Sequence, residues 1–343
     1  MDQKIFHVAV IGCGGISRVH IAALMDMDCV KIDAVCDIRE DRVQAAAAQT
    51  GAKAYSDWRE VVALPDIDTV HICLPHYLHA PVTIEALSHG KNVLTEKPMA
   101  TTIEDARAMI AASEMEGAGT LGVIFQNRYN PAVQHARSIM TSGEMGAFLG
   151  ATASVCWHRE VPYYHDSGWR GMKATEGCGS LINQSIHTLD LLSYLGGPID
   201  RVRGSVFTGL LEGQIEVEDN AMAVAMYEGG QRAIIHTTNN NVTDSPVEVN
   251  IHMEKGMLKL FGPKLYSVEN GELKLIDAGD NKKTVGKGYW GTGHSTQIED
   301  YYKALSEGRP FWIDGRSAFP ALSLVLNIVR SSEEKRWITL DRA

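Results

Sequence analysis

The sequence predicts an α/β protein with an N-terminal, doubly wound parallel sheet and a C-terminal domain built on an open, mainly antiparallel sheet. In the first third of the chain, short apolar runs alternate with longer helical patterns, as in a parallel sheet covered on both faces. After about residue 125, strand-like runs follow one another through turns rich in glycine and asparagine, as in antiparallel hairpins. A length of 343 residues fits two domains. We place them at residues 1–125 and 126–343.

The first domain is predicted from continuous apolar strands that end at glycine or proline. Its predicted strands are Ile5–Ile11, Lys31–Cys36, Thr69–Leu74, Asn92–Thr95 and Thr120–Phe125. Its predicted helices are Ile16–Met27, Asp41–Gln49, Ala80–His89 and Ile103–Glu116.

The second domain is predicted to pack helices on one face of its sheet. Its predicted strands are Val202–Thr208, Ala221–Tyr227, Arg232–Thr238, Val247–Met253 and Met257–Phe261. Its predicted helices are Leu181–Leu195, Ser295–Ser306 and Ala318–Ser331. Because a sheet covered on one side leaves its other face for solvent or a partner, we expect a homodimer or homotetramer through this sheet.

Composition excludes several classes of function. The net charge is −10, with acidic and basic residues interleaved, whereas nucleic-acid binding needs clustered Lys and Arg. The six cysteines form no CxxC pair and are expected to be reduced thiols. The sequence has neither a signal-peptide pattern nor an apolar run near the ~20 residues of a membrane span. We therefore expect a cytoplasmic protein without nucleic-acid or membrane partners.

A glycine-rich turn joins the first predicted strand to the first helix. Its sequence, Gly12-Cys13-Gly14-Gly15-Ile16-Ser17, follows the G-x-G-x-x-[G/A/S] pattern of dinucleotide-binding Rossmann domains. Gly12 permits the tight turn, and Gly14 lets the backbone approach a pyrophosphate. The backbone amides at the start of the helix can bind phosphate oxygens, so Gly15 and Ile16 are also candidate cofactor contacts. The alternative is a glycine-rich turn in an unrelated α/β fold.

Asp37 ends the second predicted strand and bears on the choice of cofactor. A carboxylate there accepts hydrogen bonds from the ribose hydroxyls of NAD and repels the 2′-phosphate of NADP. Arg39 lies two residues on and can stack on adenine or pair with a phosphate. The alternative for Asp37 is a helix N-cap. The sequence favours NAD without excluding NADP.

Cofactor chemistry in such folds lies at the carboxyl ends of the strands. The third strand ends at Pro75-His76, with His79 opening the next helix, and the fourth ends at Glu96-Lys97. We expect these five residues to line the cofactor site. Lys97 can exchange a proton with a carbinol oxygen if its pKa is lowered by burial or by a nearby positive charge. The alternative is a surface lysine before a helix.

A polar stripe marks the predicted helix Leu181–Leu195. Asn183, His187 and Asp190 stand at i, i+4 and i+7 on a segment that is otherwise apolar. Such a stripe needs polar partners, and a bound polyol is one candidate. The alternative is a satisfied core network in which His187 bonds Asp190 or a backbone carbonyl.

Together these features resemble the Gfo/Idh/MocA family of nicotinamide-dependent sugar and polyol oxidoreductases. The motifs that carry the resemblance are the turn at Gly12, the His76–His79 segment, Glu96-Lys97-Pro98 and the Asn183/His187/Asp190 helix. The resemblance implies that Lys97 is catalytic and that His187 is its acid–base partner. Inositol-dehydrogenase-like members carry aspartate in place of Asn183. The Asn-Gln pair here looks more like members acting on C3 of hexosides or nucleotide-linked sugar acids.

The segment Trp157–Lys173 is rich in aromatic and polar residues and resembles the substrate loop of the family. Sugars bind by stacking on aromatic rings and by paired polar groups, so Tyr163, Trp169 and Arg170 are candidate substrate contacts. An oligomer contact is the alternative. His294 is also expected to reach substrate. The histidines lack the spacing of metal ligands with a carboxylate partner, so no metal is predicted.

The leading hypothesis is reversible hydride transfer between NAD and a secondary hydroxyl of a sugar, glycoside or polyol. Lys97 would take the hydroxyl proton, directly or through His187, while Asn183 and Asp190 fix neighbouring hydroxyls. A second hypothesis is an enzyme that oxidises and then reduces its substrate within one turnover, so that NAD is regenerated and the net reaction is cleavage of a glycoside. A third is a non-catalytic, dinucleotide-dependent sensor. Retention of both Lys97 and His187 argues against the sensor.

Overall fold

The computed structural model describes residues 4–279 and 293–343. Within these ranges the chain forms two compact units. The first unit contains residues 4–126 and 293–318, and the second contains residues 127–279 and 319–343. The predicted division has a single boundary near residue 125, so it assigns residues 293–318 to the other domain.

The first unit is a doubly wound α/β sheet. In its described part six parallel strands lie in the order β3-β2-β1-β4-β5-β6. They are β1 (Phe6–Ile11), β2 (Val30–Cys36), β3 (Lys53–Tyr55), β4 (Thr69–Ile72), β5 (Asn92–Thr95) and β6 (Leu121–Val123). The helices are α1 (Ser17–Met25), α2 (Glu40–Thr50), α3 (Trp58–Val62), α4 (His79–Ser88), α5 (Ile103–Ser113) and α10 (Gly293–Glu307). This order is that of dinucleotide-binding domains, whose ligand lies where the order reverses, beside β1 and β4.

The predicted strands of this unit are confirmed to within two residues at each end. Their Val- and Ile-rich sequences are buried on both faces; all four residues of Thr69–Ile72, for example, are buried. The short elements β3 and α3 were not predicted. Because all six strands run parallel, the loops after Ile11, Ile72 and Thr95 lie at the same edge of the sheet.

Residues 293–318 join the first unit through specific side-chain bonds. Gln297 of α10 donates to the carbonyl of Val123 at 2.7 Å and accepts from the amide of Phe125 at 3.0 Å. The hydroxyl of Tyr301 bonds the carbonyls of Val93 and Thr120. These contacts join residues more than 170 positions apart in sequence, so local sequence patterns do not reveal them.

The second unit is a large sheet with helices. In its described part nine strands lie in the order β14-β13-β12-β11-β7-β10-β9-β8-β15, antiparallel except for the pair β7–β10. The strands are β7 (Phe148–Cys156), β8 (Ile199–Phe207), β9 (Asn220–Tyr227), β10 (Arg232–Thr238), β11 (Glu248–Met253), β12 (Gly256–Phe261), β13 (Lys264–Glu269), β14 (Glu272–Asp277) and β15 (Ile338–Thr339). The helices are α6 (Pro131–Ser142), α7 (Val161–His165), α8 (Lys173–Glu176), α9 (Ile186–Gly196) and α11 (Gly315–Glu334), which begins within the first unit's residues.

The predicted, mainly antiparallel sheet is confirmed, and buried and exposed residues alternate along its strands. Along β9, Ala221, Ala223, Ala225 and Tyr227 are buried, while Met222 between them is 53% exposed. Helix α9 packs against β7, and α6 packs against β12, β13 and β14. The helix predicted at Ser295–Ser306 was wrongly expected to pack on this sheet, since α10 belongs to the first unit. No helix in the described ranges is long and apolar enough to cross a membrane.

Candidate functional site

The turn after β1 in the first unit has a geometry that would fit a pyrophosphate. Gly12 has φ +93°, and a Cβ there would lie 2.4 Å from the carbonyl oxygen of Cys73, so only glycine fits. At Gly14 the nearest atom to an added Cβ is 3.9 Å away, and at Gly15 there is none within 4 Å. The Ser17 hydroxyl donates to the Gly14 carbonyl at 2.7 Å and fixes the entry to α1. Backbone amides at this helix start suit phosphate oxygens.

Asp37 lies beside this turn at the end of β2. Its Oδ2 accepts from the Cys13 amide at 2.7 Å, and its Oδ1 accepts from the Arg39 amide at 2.8 Å. The Arg39 guanidinium is paired with Asp41 through two bonds of 3.1 Å. The cap position of α2 is Arg39, so Asp37 braces the glycine turn and does not cap that helix. A carboxylate held in this place fits the ribose of NAD.

The chain after β5 places Glu96 and Lys97 at the carboxyl edge of the same sheet. Glu96 is buried and Lys97 is half-buried. The Glu96 amide donates to the carbonyl of Ile72 at 2.9 Å, which continues the strand pairing. The Lys97 amide donates to Glu96 Oε2 at 3.2 Å, so the two residues form a fixed turn.

His79 ties the two strand-end loops together. It is buried, with Nδ1 2.6 Å from the carbonyl oxygen of Pro98 and Nε2 2.8 Å from that of Leu74. Burial lowers the pKa of His79, although these carbonyls favour its charged form. The ring of His76, which is also buried, lies 5.9 Å from that of His79. Pro75 precedes the short 3₁₀ turn that carries His76.

Two histidines hold the Glu96 carboxylate. His20 Nε2 lies 3.0 Å from Glu96 Oε1, and His294 Nε2 lies 3.5 Å from the same oxygen. Burial alone would raise the pKa of Glu96, but the bonds from His20 and His294 outweigh it and hold the pKa well below its usual range. Burial lowers the pKa of His294 itself. His294 thus supports Glu96, a contact that the sequence analysis did not predict.

In the second unit, a single π-helical turn, Leu181–Ser185, precedes α9. Such turns are frequent at functional sites. Asn183 lies in this turn and His187 at the start of α9; both are half-buried among buried neighbours. Asn183 Nδ2 donates to Glu176 Oε1 at 2.6 Å, and Glu176 Oε2 accepts from the Gly171 amide.

Two buried carboxyls organise the entry to this turn. Glu218 accepts from the amides of Gly179 and Leu181 at 2.8 and 3.0 Å. Burial raises the pKa of Glu176 and of Glu218 to about 7. Both residues were missed by sequence reasoning, because their contacts depend on chain segments that are distant or irregular.

Asp190 is engaged by an arginine. Its Oδ2 accepts from Arg128 Nε at 2.8 Å and its Oδ1 from Arg128 Nη2 at 2.6 Å, and the carboxylate side chain is 1% exposed. Asn183, His187 and Asp190 were predicted to form one stripe of a regular α-helix. The π turn widens the helix at Asn183, and the Asp190 carboxylate points to Arg128.

The predicted substrate loop presents an arginine between two aromatic rings. The Arg170 guanidinium lies 4.6 Å from the ring centre of Tyr163 and 4.5 Å from that of Trp169. Gln184, in the π turn, donates from Nε2 to the Tyr163 hydroxyl at 2.9 Å. Asn239 in turn donates to Gln184 Oε1 at 3.1 Å. The loop and the π turn are therefore bonded together.

In the parts of the chain that the structure describes, no group of three or more His, Cys, Asp or Glu side chains is arranged to bind a metal ion.

Two family models match the chain. Residues 6–125 match the model described as oxidoreductase family, NAD-binding Rossmann fold, and residues 133–259 match the GFO/IDH/MocA C-terminal domain.

Curated relatives match nearly the whole chain. Levoglucosan dehydrogenase of Pseudarthrobacter phenanthrenivorans is 25% identical, with 97% of each chain covered. D-glucoside 3-dehydrogenase of Escherichia coli is 28% identical, again with 97% of each covered. Among solved structures, the WlbA dehydrogenase from Bordetella pertussis, in complex with NADH and UDP-GlcNAcA, is 28% identical with a TM-score of 0.89 and complete coverage of both chains.

Proposed function

We propose that this chain, which belongs to the GFO/IDH/MocA family of NAD-dependent oxidoreductases, oxidises a secondary hydroxyl of a sugar, glycoside or polyol by reversible hydride transfer. The observation that carries the proposal is the position of Lys97, half-buried at the carboxyl end of β5 in a dinucleotide-binding unit. NAD, when bound, accepts the hydride. Gly14, Gly15, Ile16 and Asp37 would hold it.

Lys97 is the group to which we assign the hydroxyl proton. Burial lowers the pKa of both His79 and His294, and the charge of Lys97 lowers it further. The Lys97 amine therefore lies within electrostatic reach of these two side chains, where a group that exchanges a proton is needed. His187 is the second member of the proposed acid–base pair, and it receives or returns the proton on the substrate side.

Asn183 is proposed to bind a hydroxyl next to the reacting carbon. While Glu176 is ionised, its hydrogen bond to Asn183 fixes which amide atom is the donor, so the side chain then presents one defined orientation to a substrate. We do not assign Asp190 to substrate binding. Both of its oxygens bond Arg128, so we assign it to holding α9 in place.

Arg170, Tyr163 and Trp169 are proposed to select the substrate class. A guanidinium held between two rings binds planar anions such as carboxylates with little loss of freedom. This favours an acidic or nucleotide-linked sugar over a neutral polyol. The name of one relative, a D-glucoside 3-dehydrogenase, supports oxidation at C3. The UDP-GlcNAcA bound to another, the WlbA dehydrogenase, supports a nucleotide-linked sugar acid as substrate.

The test is NADH formation from NAD with a panel of hexoses, inositols, glucosides, sugar acids and nucleotide-linked sugar acids. Lys97→Ala should lower kcat by about 10²–10⁴, the usual contribution of a general base, while NADH binding measured by fluorescence is kept. Lys91→Met is the matched control. Lys91 immediately precedes β5 at its other end and bonds the carbonyls of Leu64 and Ile67. Its loss should lower stability and leave the pH profile of kcat unchanged.

The outcomes separate the hypotheses. Turnover that survives in Lys97→Ala refutes the assignment of the base. Product formation without net NADH points to the glycoside-cleaving alternative, in which NAD is kept. NAD binding with no turnover on any substrate, together with a ligand-dependent change in a binding partner, points to the sensor.

We also propose that the chain forms a homodimer through the second unit's sheet. On the face opposite the buried alanines, Ile234 of β10 is 58% exposed, Met222 of β9 is 53% exposed and Phe207 of β8 is 48% exposed. Adjacent large apolar groups on a sheet surface mark an interaction site. Ile234→Lys should convert the dimer to a monomer in light scattering. A wild-type monomer at micromolar concentration would refute this proposal.

A further inference from the structure

We propose that His20, His71 and Tyr302 are positioning residues for the reacting lysine. With Glu96 they form a one-directional chain of hydrogen bonds that holds a fixed negative charge beside Lys97. The inference rests on Lys97 being the acid–base group, as proposed above.

The chain of bonds runs through four elements of the first unit. The Tyr302 hydroxyl on α10 lies 2.8 Å from His71 Nε2 on β4, and His71 Nδ1 lies 2.8 Å from His20 Nδ1 on α1. His20 Nε2 lies 3.0 Å from Glu96 Oε1, and Glu96 Oε2 accepts the Lys97 amide. His20, His71, Glu96 and Tyr302 are all buried. A buried polar network of this kind is rigid when every member is satisfied.

With both imidazoles neutral, the chemistry of the members sets the direction of every bond. An ionised Glu96 only accepts, so His20 Nε2 must donate to it. A neutral His20 then has an acceptor at Nδ1, which His71 Nδ1 must supply with a proton. His71 Nε2 is left as the acceptor of the Tyr302 hydroxyl. The two neighbouring histidines therefore carry opposite tautomers, Nε2–H in His20 and Nδ1–H in His71. The reverse direction requires a protonated Glu96.

The series of hydrogen bonds ends at Tyr302, which is buried and cannot pass a proton to solvent. The series therefore positions Glu96 and does not release protons. Tyr302 is 1% exposed and packs edge-on against Phe6 and parallel to the His71 ring. Burial raises the pKa of Tyr302 well above its usual value, so its hydroxyl does not give up its proton at working pH. A proton taken up by His20 therefore has no route outward through Tyr302.

The charge of Glu96 should set the pKa of Lys97. Among the described residues, the titratable side chains that interact with Glu96 include His20, His71, Cys73, His79 and His294. Lys97 is the next residue in the sequence, and its backbone amide donates to Glu96 Oε2. An ionised carboxylate near an amine stabilises the ammonium form and raises its pKa. Removing the charge, or loosening the carboxylate, should lower the pKa of Lys97.

Breaking these hydrogen bonds at Tyr302 should weaken the hold on Glu96. In Tyr302→Phe, His71 Nε2 loses its donor, and either tautomer of His71 then leaves one buried ring nitrogen unsatisfied. His71 and, through it, His20 are held less firmly, so the Glu96 carboxylate is fixed less well beside Lys97. A less ordered carboxylate stabilises the ammonium form of Lys97 less.

The first test is the pH dependence of kcat/KM for substrate oxidation in Tyr302→Phe, with Tyr301→Phe as matched control. Tyr301 is the adjacent residue on α10 and is equally buried, but its hydroxyl bonds the backbone carbonyls of Val93 and Thr120 and takes no part in the series of bonds that ends at Glu96. Tyr302→Phe should move the acidic limb to lower pH by about half a unit, and Glu96→Gln by about one unit. Tyr301→Phe should lower stability without moving the limb. Equal midpoints in all four proteins would overturn the inference.

The second test reads the tautomers directly and needs neither substrate nor activity. In wild-type protein labelled with ¹⁵N-histidine, long-range ¹H–¹⁵N spectra should show His71 protonated at Nδ1 and His20 at Nε2, with His71→Asn and His20→Gln giving the assignments. Identical tautomers in the two residues would overturn the chain. This outcome leaves Lys97 as the base, whereas full turnover of Lys97→Ala removes the proposed function and leaves the tautomers in place.

Discussion

Asp190→Asn should destabilise the second unit without weakening substrate binding. Arg128 and Asp190 form a buried pair with two parallel bonds of 2.8 and 2.6 Å, and their side chains are 6% and 1% exposed. Burial raises the pKa of Asp190 even against the nearby guanidinium, so the pair is costly to bury and each charge depends on the other.

The size of the effect follows from the burial. Removing one partner of a buried ion pair costs about 3–5 kcal/mol, because the other charge is left uncompensated. A unit of 150–250 residues loses about 2–4 °C in Tm per kcal/mol. Asp190→Asn, and likewise Arg128→Met, should therefore lower the Tm of the second unit by about 6–20 °C. The double variant Arg128→Met/Asp190→Asn should regain most of that loss, since no buried charge remains.

The assay is thermal and urea unfolding of the four proteins, combined with KM for the best sugar substrate. We expect a strong positive coupling between the two sites and a KM within twofold of wild type for the Asp190→Asn protein at a temperature where it is folded. A Tm change below 2 °C together with a tenfold rise in KM would refute the reasoning. It would make Asp190 a substrate ligand, as the polar stripe in the sequence suggests.

Three further predictions follow from single features. Gly12→Ala should destabilise the first unit because its Cβ would overlap the Cys73 carbonyl, whereas Gly14→Ala should keep Tm and weaken NADH binding in titration calorimetry. The pKa values of Glu176 and Glu218 rise from 4.5 to about 7 on folding, so the free energy of unfolding should fall as the pH rises from 4.5 to 7 and should level off above pH 7. The decrease should be at most about 3 kcal/mol per carboxyl. Urea unfolding across that range measures it, and Glu176→Gln should flatten the profile. Asp37→Ala should lower the preference for NAD over NADP, measured as a ratio of kcat/KM values.

The sequence was sufficient for elements with strong local patterns. Continuous Val and Ile runs predicted the parallel strands, and the glycine motif predicted the tight turn between β1 and α1. Strand β7 (Phe148–Cys156), near the middle of the second sheet, was missed because its inward side chains include the small residues Ala151 and Ala153. Their apolar signal is weak, although partner strands on both sides bury them.

The candidate site shows the same division. Gly12, Asp37 and Lys97 could be proposed from motifs in which the informative residues are neighbours in sequence. The supports of Lys97 could not, since His71 meets His20 across 51 positions and Tyr302 across 231. A contact of that separation exists only once the fold brings the elements together. No local spacing encodes it.

Each unit holds a proposed functional side chain with a buried carboxyl, but the two carboxyls differ in their protonation. Glu96 is kept ionised by two imidazoles, so the charge beside Lys97 should be constant across the working range of pH. Glu176 is bonded by an amide and a backbone N–H, and burial raises its pKa to about 7. Near neutrality Glu176 therefore changes between acceptor and donor, and the orientation of the Asn183 amide should change with it. Proton transfer and substrate recognition should consequently respond to pH separately, the first through Lys97 and the second through Glu176.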